Sequence, residues 1–136
     1  MGRRAQEKKA RRRNEPKETA SGLPVVSKST ARYLHCAPRK VALVAKEIRN
    51  KSVAEALDAL RFMHKPSAVP YVERALKSAI ANAENVSPDP YNLVVGEIRV
   101  EGAPMMKRIQ PASMGRAFRV RKRLSHLHIY LTEDFA

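Results

Sequence analysis

Cysteine occurs once in these 136 residues, at Cys36. A single thiol excludes an internal disulfide and fits a reducing compartment; beside His35 it reads as a buried thiol at a strand end. No apolar run approaches membrane-spanning length. There is no Gly-rich phosphate loop and no paired-carboxylate signature. His126 and His128 alternate as on a strand, but no cysteine or carboxylate pattern nearby completes a metal set. Ser125 beside His126 says nothing of a catalytic triad, which is a spatial arrangement. An enzyme is not expected, nor a cofactor or a metal. Acidic residues are missing throughout the span between Glu101 and Glu133, and that absence organises the rest.

The same span carries seven basic residues, Lys107, Arg108, Arg116, Arg119, Arg121, Lys122 and Arg123. Near its middle lies Pro111-Ala112-Ser113-Met114-Gly115, where Pro fixes φ and Gly can take φ > 0. Phe118, Val120 and Leu124 alternate with Arg119, Arg121 and Arg123, the period of a strand. The pattern predicts a two-stranded basic ribbon over about 101–126, reaching roughly 30 Å at about 3.3 Å per residue. An isolated ribbon has no second layer to bury its apolar side chains and is marginal in water, so a polyanion is expected to hold it. Phe118 is its only aromatic residue, which favours phosphate and shape contacts over base stacking.

Composition agrees. The net charge is +14, from 27 Lys and Arg against 13 Asp and Glu. Residues 1–30 hold 9 basic against 3 acidic residues, and 101–136 hold 7 against 3, so the ends supply ten of the fourteen charges. Such clustering attracts phosphate. A membrane surface would suit the charge, but the basic residues alternate as on a strand rather than on an amphipathic helix. No membrane partner and no homo-oligomer are expected.

Residues 1–22 lack periodicity and read as a disordered basic tail; Glu7, Glu15 and Glu18 argue against an organelle transit peptide. Residues 23–136 read as one α+β domain. A strand spans Leu23 to Cys36. Pro38 opens a helix with Val41, Val44, Ala45 and Ile48 as its stripe, leaving Leu43 outside it, and Asn50 can end it in the left-handed region. Ser52 and Glu55 form a capping box for a second helix with Val53, Leu57 and Leu60 inward. A third helix begins near Ser67 and buries Val69, Val72, Leu76, Ala79, Ile80 and Ala83. A strand from Asn92 places Val94, Ile98 and Val100 on one face, then continues into the ribbon. Apolar residues change from even to odd positions after Leu124, which predicts a bulge or twist near Ser125. The expected fold is a small three-stranded antiparallel sheet packed with three helices, plus a long protruding β-hairpin arm.

Ala31-Arg32-Tyr33, Pro38-Arg39-Lys40-Val41, Lys51 to Leu57, Lys77 to Glu84, Met106-Lys107-Arg108-Ile109, Gly115-Arg116-Ala117, Arg121-Lys122-Arg123 and Ser125-His126 occur in this order. In these motifs the chain closely resembles the bacterial form of the large ribosomal subunit protein twenty-two family, over roughly residues 28–132. The resemblance implies a ribosomal structural protein in the cytoplasm that binds large-subunit ribosomal RNA, meets neighbouring ribosomal proteins and assists assembly. An organellar ribosome is not the expected setting. It implies an rRNA-binding set of Arg32, Arg39, Lys40, Lys107, Arg108, Arg116, Arg121, Lys122, Arg123, Ser125 and His126, joined by Arg119 of the ribbon. It also implies a hairpin tip, Gln110, Pro111, Ala112, Ser113, Met114, Gly115 and Arg116, that lines the peptide exit tunnel and meets the nascent peptide. The chain departs from the family at Ala37, where Ser usually precedes Pro-Arg-Lys, and at Ala112 and Met114, where tip residues are commonly basic. The alternative from another class is an architectural DNA-binding protein with a basic β-arm, a plan in which the helix-rich segment 38–87 has no place.

Overall fold

The computed structural model describes residues 19 and 22–133. The chain runs β1 (Val25–Leu34), α1 (Pro38–Ile48), α2 (Val53–Phe62), α3 (Val69–Ala83), β2 (Val94–Pro111) and β3 (Ala117–Thr132), with short 3-10 turns at Pro90–Asn92 and Ser113–Gly115. The expected disordered tail lies outside the described residues apart from Thr19 and Gly22. There, the Leu23 N–H donates to Thr19 Oγ1 at 3.1 Å and the Gly22 N–H to the Thr19 carbonyl.

The first two helices start where their sequence chemistry directs. Pro38 stands in the first turn of α1, and Asn50, at φ 59°, turns the chain out of it. The Ser52 hydroxyl accepts from the Glu55 N–H while the Glu55 carboxylate accepts from the Ser52 N–H, the reciprocal box that starts α2. α3 starts at Val69, later than Ser67, because the N–H groups of Ala68 and Val69 both turn back to the Lys65 carbonyl.

The sheet order is β1-β3-β2, both pairs antiparallel. β3 is thus central, and the three helices cover one face of the sheet. The core comprises Val41, Val44 and Ile48 of α1, Val53, Ala56 and Leu60 of α2, Val72, Leu76, Ala79 and Ala83 of α3, and the odd-numbered Leu127, Ile129 and Leu131 of β3. In α2, Ala56 is buried and Leu57 only half-buried. Ser27 reaches from β1 to donate to the Ala79 carbonyl at 2.6 Å, a buried polar link from sheet to α3. The loop between α1 and α2 runs along the outer edge of β2, with Asn50 N–H to Val95 O, Val95 N–H to Lys51 O and Val53 N–H to Leu93 O. That loop covers an edge strand that would otherwise be open to pairing.

One expectation about strand phase needs correction and one is met. The inward residue at the start of β2 is Val95, not Val94. The β2–β3 register slips by one between Val95 and Glu97, and a one-residue slip exchanges faces. The irregularity expected near Ser125 is carried by the strands on either side of it. Between Ala103 and Met106, β2 has one residue more than β3; between Ala31 and Leu34, β1 likewise has one more. Tyr33, inside the second bulge, sits at φ 55°.

Candidate nucleic-acid interface

Beyond the first bulge the two legs pair from Met106↔Lys122 to Pro111↔Ala117. Partners across an antiparallel ladder share a face, so the register sorts the arm's side chains. Lys107 and Arg121 lie opposite each other on one face, joined there by the Ile109↔Arg119 pair. Met106, Arg108, Gln110, Phe118, Val120 and Lys122 take the other. Residues 107–111 and 113–119 are exposed, as are Arg121, Lys122 and Arg123, so among the described residues no layer of the body covers the arm on either side. Ile109 is 74% and Phe118 61% exposed, an apolar load that the protein alone leaves in water.

At the tip the Ala112 N–H donates to the Arg116 carbonyl at 2.8 Å and closes the hairpin. Gly115 takes φ 68°, as its position anticipates, but Met114 also sits left-handed at φ 59°, ψ 35°. A side chain in that region costs about 1–2 kcal/mol. Arg116 is the one cation among residues 110–116.

The arm's charge is uncompensated. Among the described residues the ion pairs belong to the body: Arg61–Asp58, Lys77–Glu73, Arg99–Glu97 and His128–Glu101. Arg99 is tied to Glu97 at 2.6 Å, a bond that holds its guanidinium above its ordinary pKa, and it lies 5.5 Å over the Tyr130 ring. The Lys77 ammonium likewise holds the Glu73 carboxyl below the usual carboxylate range.

The remaining expected residues separate into two groups. Arg32, Arg39 and Lys40 are exposed, and Lys40 shares a cleft with Arg121, Lys122 and Arg123 at the root of the arm. Ser125 is fully buried, its hydroxyl donating to the Cys36 carbonyl at 3.0 Å, so it ties β3 to the start of α1 rather than facing solvent. His126 is half-buried on the sheet face away from the helices. The Tyr33 N–H donates to its Nδ1 at 3.0 Å, and the two rings meet edge to face at 4.8 Å. With Nδ1 accepting, a neutral His126 carries its proton on Nε2. Tyr33 was not anticipated as part of this surface; its left-handed backbone follows from a bulge that the sequence does not announce.

His128 on the same face has its Nδ1 3.1 Å from Thr30 Oγ1 and its Nε2 3.9 Å from Glu101. Burial holds its imidazole below the ordinary value of 6.5, and the guanidinium groups of Arg32 and Arg99 act in the same sense. Glu101 pulls the other way, but at 3.9 Å and largely in solvent it does not overcome desolvation. The folded chain therefore binds this proton less readily than the unfolded chain. Acidification from pH 7 through the ordinary imidazole range removes stability, and the loss stops growing below the folded value. Thermal melts should give a lower Tm at pH 5.5 than at pH 7, and His128→Gln should shrink the difference. An undiminished difference in the variant would assign the effect to other groups.

These features define a class, a small α+β domain that carries uncompensated positive charge on an extended β-arm. A family model described as ribosomal protein L22p/L17e matches residues 29–132, essentially β1 to the end of β3, and the chain belongs to that family. It is 50% identical over 111 residues to the large ribosomal subunit protein uL22 of Caldicellulosiruptor saccharolyticus, across 79% of this chain and 90% of that protein. It is 44% identical over 108 residues to the protein of the same name from Maridesulfovibrio salexigens, across 79% of this chain and 97% of the relative.

Proposed function

We propose that this chain is a structural constituent of the large ribosomal subunit. It binds large-subunit ribosomal RNA through the arm and the exposed basic residues of the body, assists subunit assembly, and lines the peptide exit tunnel with its hairpin tip. It works in the cytoplasmic ribosome, beside neighbouring ribosomal proteins, and has no catalytic role. The observation that carries this reading is the arm, a ladder exposed on both faces whose cations have no acidic partner among the described residues. Phosphate supplies the missing charge. Membership of a ribosomal protein family supports RNA over the DNA alternative.

The tip separates tunnel lining from RNA binding. Met114, Gly115 and Arg116 contribute no buried side chain, so deleting them should leave fold and subunit incorporation nearly intact while altering the tunnel's shape. Incorporation is measured by sedimentation after a high-salt wash. Purified mutant ribosomes are then compared with wild type for sensitivity to tunnel-binding macrolides and for stalling by nascent peptides. Normal incorporation with changed responses is expected. Unchanged responses would place the tip away from the tunnel, and failed incorporation would make it an assembly element.

A further inference from the structure

A cleft of about 430 Å³ lies where the root of the arm meets the start of α1. Among the described residues four cations line it, Lys40 from α1 and Arg121, Lys122 and Arg123 from β3, and no acidic residue does. The rest of the lining is of a different kind. Cys36, Met106 and Leu124 give an apolar surface, with Cys36 and Leu124 buried, and exposed His35 adds an aromatic ring. Cationic and apolar walls in one cleft match a ligand that is itself anionic at one end and flat and apolar-faced at the other.

The cleft is built before any ligand arrives. The buried Ser125 to Cys36 hydrogen bond fixes the segment before α1 to β3. The extra residue between Ala103 and Met106 resets the ladder, so that Met106 pairs with Lys122 at the cleft. Ala37 gives α1 no side-chain cap, so the helix adds its positive end to the same field. The volume falls near the lower end of the roughly 300–1,000 Å³ typical of small-ligand pockets, the scale of a single nucleotide. RNA offers such a ligand wherever an unpaired base is splayed out of its stack, to lie on histidine or arginine planes.

We propose that this cleft receives a single unpaired nucleotide of the bound RNA, with its phosphate among Lys40, Arg121, Lys122 and Arg123 and its base against Met106, Leu124 and His35. The proposal rests on the RNA-binding reading above and adds to it a defined subsite.

The test uses the full chain and large-subunit ribosomal RNA transcribed in vitro. Ser67 is an exposed, uncharged wall residue, so Ser67→Trp fills the cleft without touching a cation. It should weaken binding about tenfold, the scale of a single base stack, with the salt slope unchanged. Lys40→Gln should flatten the slope of log K against log salt by about one. Ultraviolet crosslinking of the wild type, read by mass spectrometry, should attach a nucleotide within residues 35–37 or 121–124, and Ser67→Trp should abolish that adduct. If both variants bind and crosslink as wild type does, the subsite is refuted while RNA binding stands. A wild type that does not bind the RNA refutes the functional reading and the subsite together. Lys40→Gln decides on its own if the tryptophan variant does not fold.

Discussion

Replacing Arg119, Arg121 and Arg123 with Gln should flatten the slope of log K against log salt by about two units or more, at about 0.7–0.9 for each phosphate that is no longer neutralised. Between 50 and 200 mM salt, two units of slope correspond to a difference of about sixteenfold in affinity. Gln keeps a polar side chain of similar reach and removes only the charge. The three positions lie along the return leg, all exposed and all without an acidic partner among the described residues. Lys107 and Arg121 stand directly opposite each other, and like charges in that position oppose pairing. In the free protein the arm thus works against its own ladder, and a phosphate between the two chains reverses the sign. The variant should consequently show a better-ordered free arm together with weaker RNA binding. An unchanged salt slope would remove these three residues from the contact set.

Gly96→Ala should destabilise the folded chain by about 1–3 kcal/mol, the usual cost of forcing a methyl group into a packed site. A Cβ at Gly96 would lie 2.6 Å from Thr132 Oγ1 and 2.7 Å from its Cγ2. Thr132 has no room to retreat, being fully buried at the end of the central strand. Its hydroxyl is also, among the described residues, the one buried side-chain polar atom without a hydrogen-bond partner. Glycine is required here for space rather than for φ, because the register slip brings β2 and β3 together at this point. For a domain near 100 residues each kcal/mol moves Tm by about 4–8 °C, so the loss is readily seen by calorimetry. The double variant Gly96→Ala, Thr132→Ser removes the Cγ2 contact and should recover part of the stability. No recovery would mean that the strain arises elsewhere.

What could be read in advance follows from the range of each signal. The α1 stripe, the Ser52–Glu55 box and the turn at Asn50 are local, and all three are present as the spacing indicated. The basic arm was legible for the same reason, since charge, strand period and turn chemistry coincide within one stretch. Which strands bear the bulges was not, because an extra residue in β1 or β2 is defined only against its partner strand. The even-to-odd change after Leu124 registered that something shifts, but one strand cannot show which of its neighbours bears the extra residue. Met114 in the left-handed region was hidden by Gly115 beside it. The meeting of Lys40 with the arm's root depends on the Ser125–Cys36 tie between distant segments, and no window along the sequence contains both.

The position of β3 also sets a timetable. It supplies the middle strand of the sheet, yet it follows β1 and β2 in the chain, and Val25 at the start of β1 pairs with Thr132 at the end of β3. A growing chain therefore makes three helices and two outer strands whose edges toward β3 stay unpaired until residues 117–132 emerge. Domains whose pairing is this non-local close late and slowly. The same strand is one leg of the arm, so body and arm are completed by a single zipping event. A chain stopped before Ala117 would hold most of the helical core residues but neither a sheet nor a hairpin, and quality control would meet it as an unfinished protein with two unpaired strand edges.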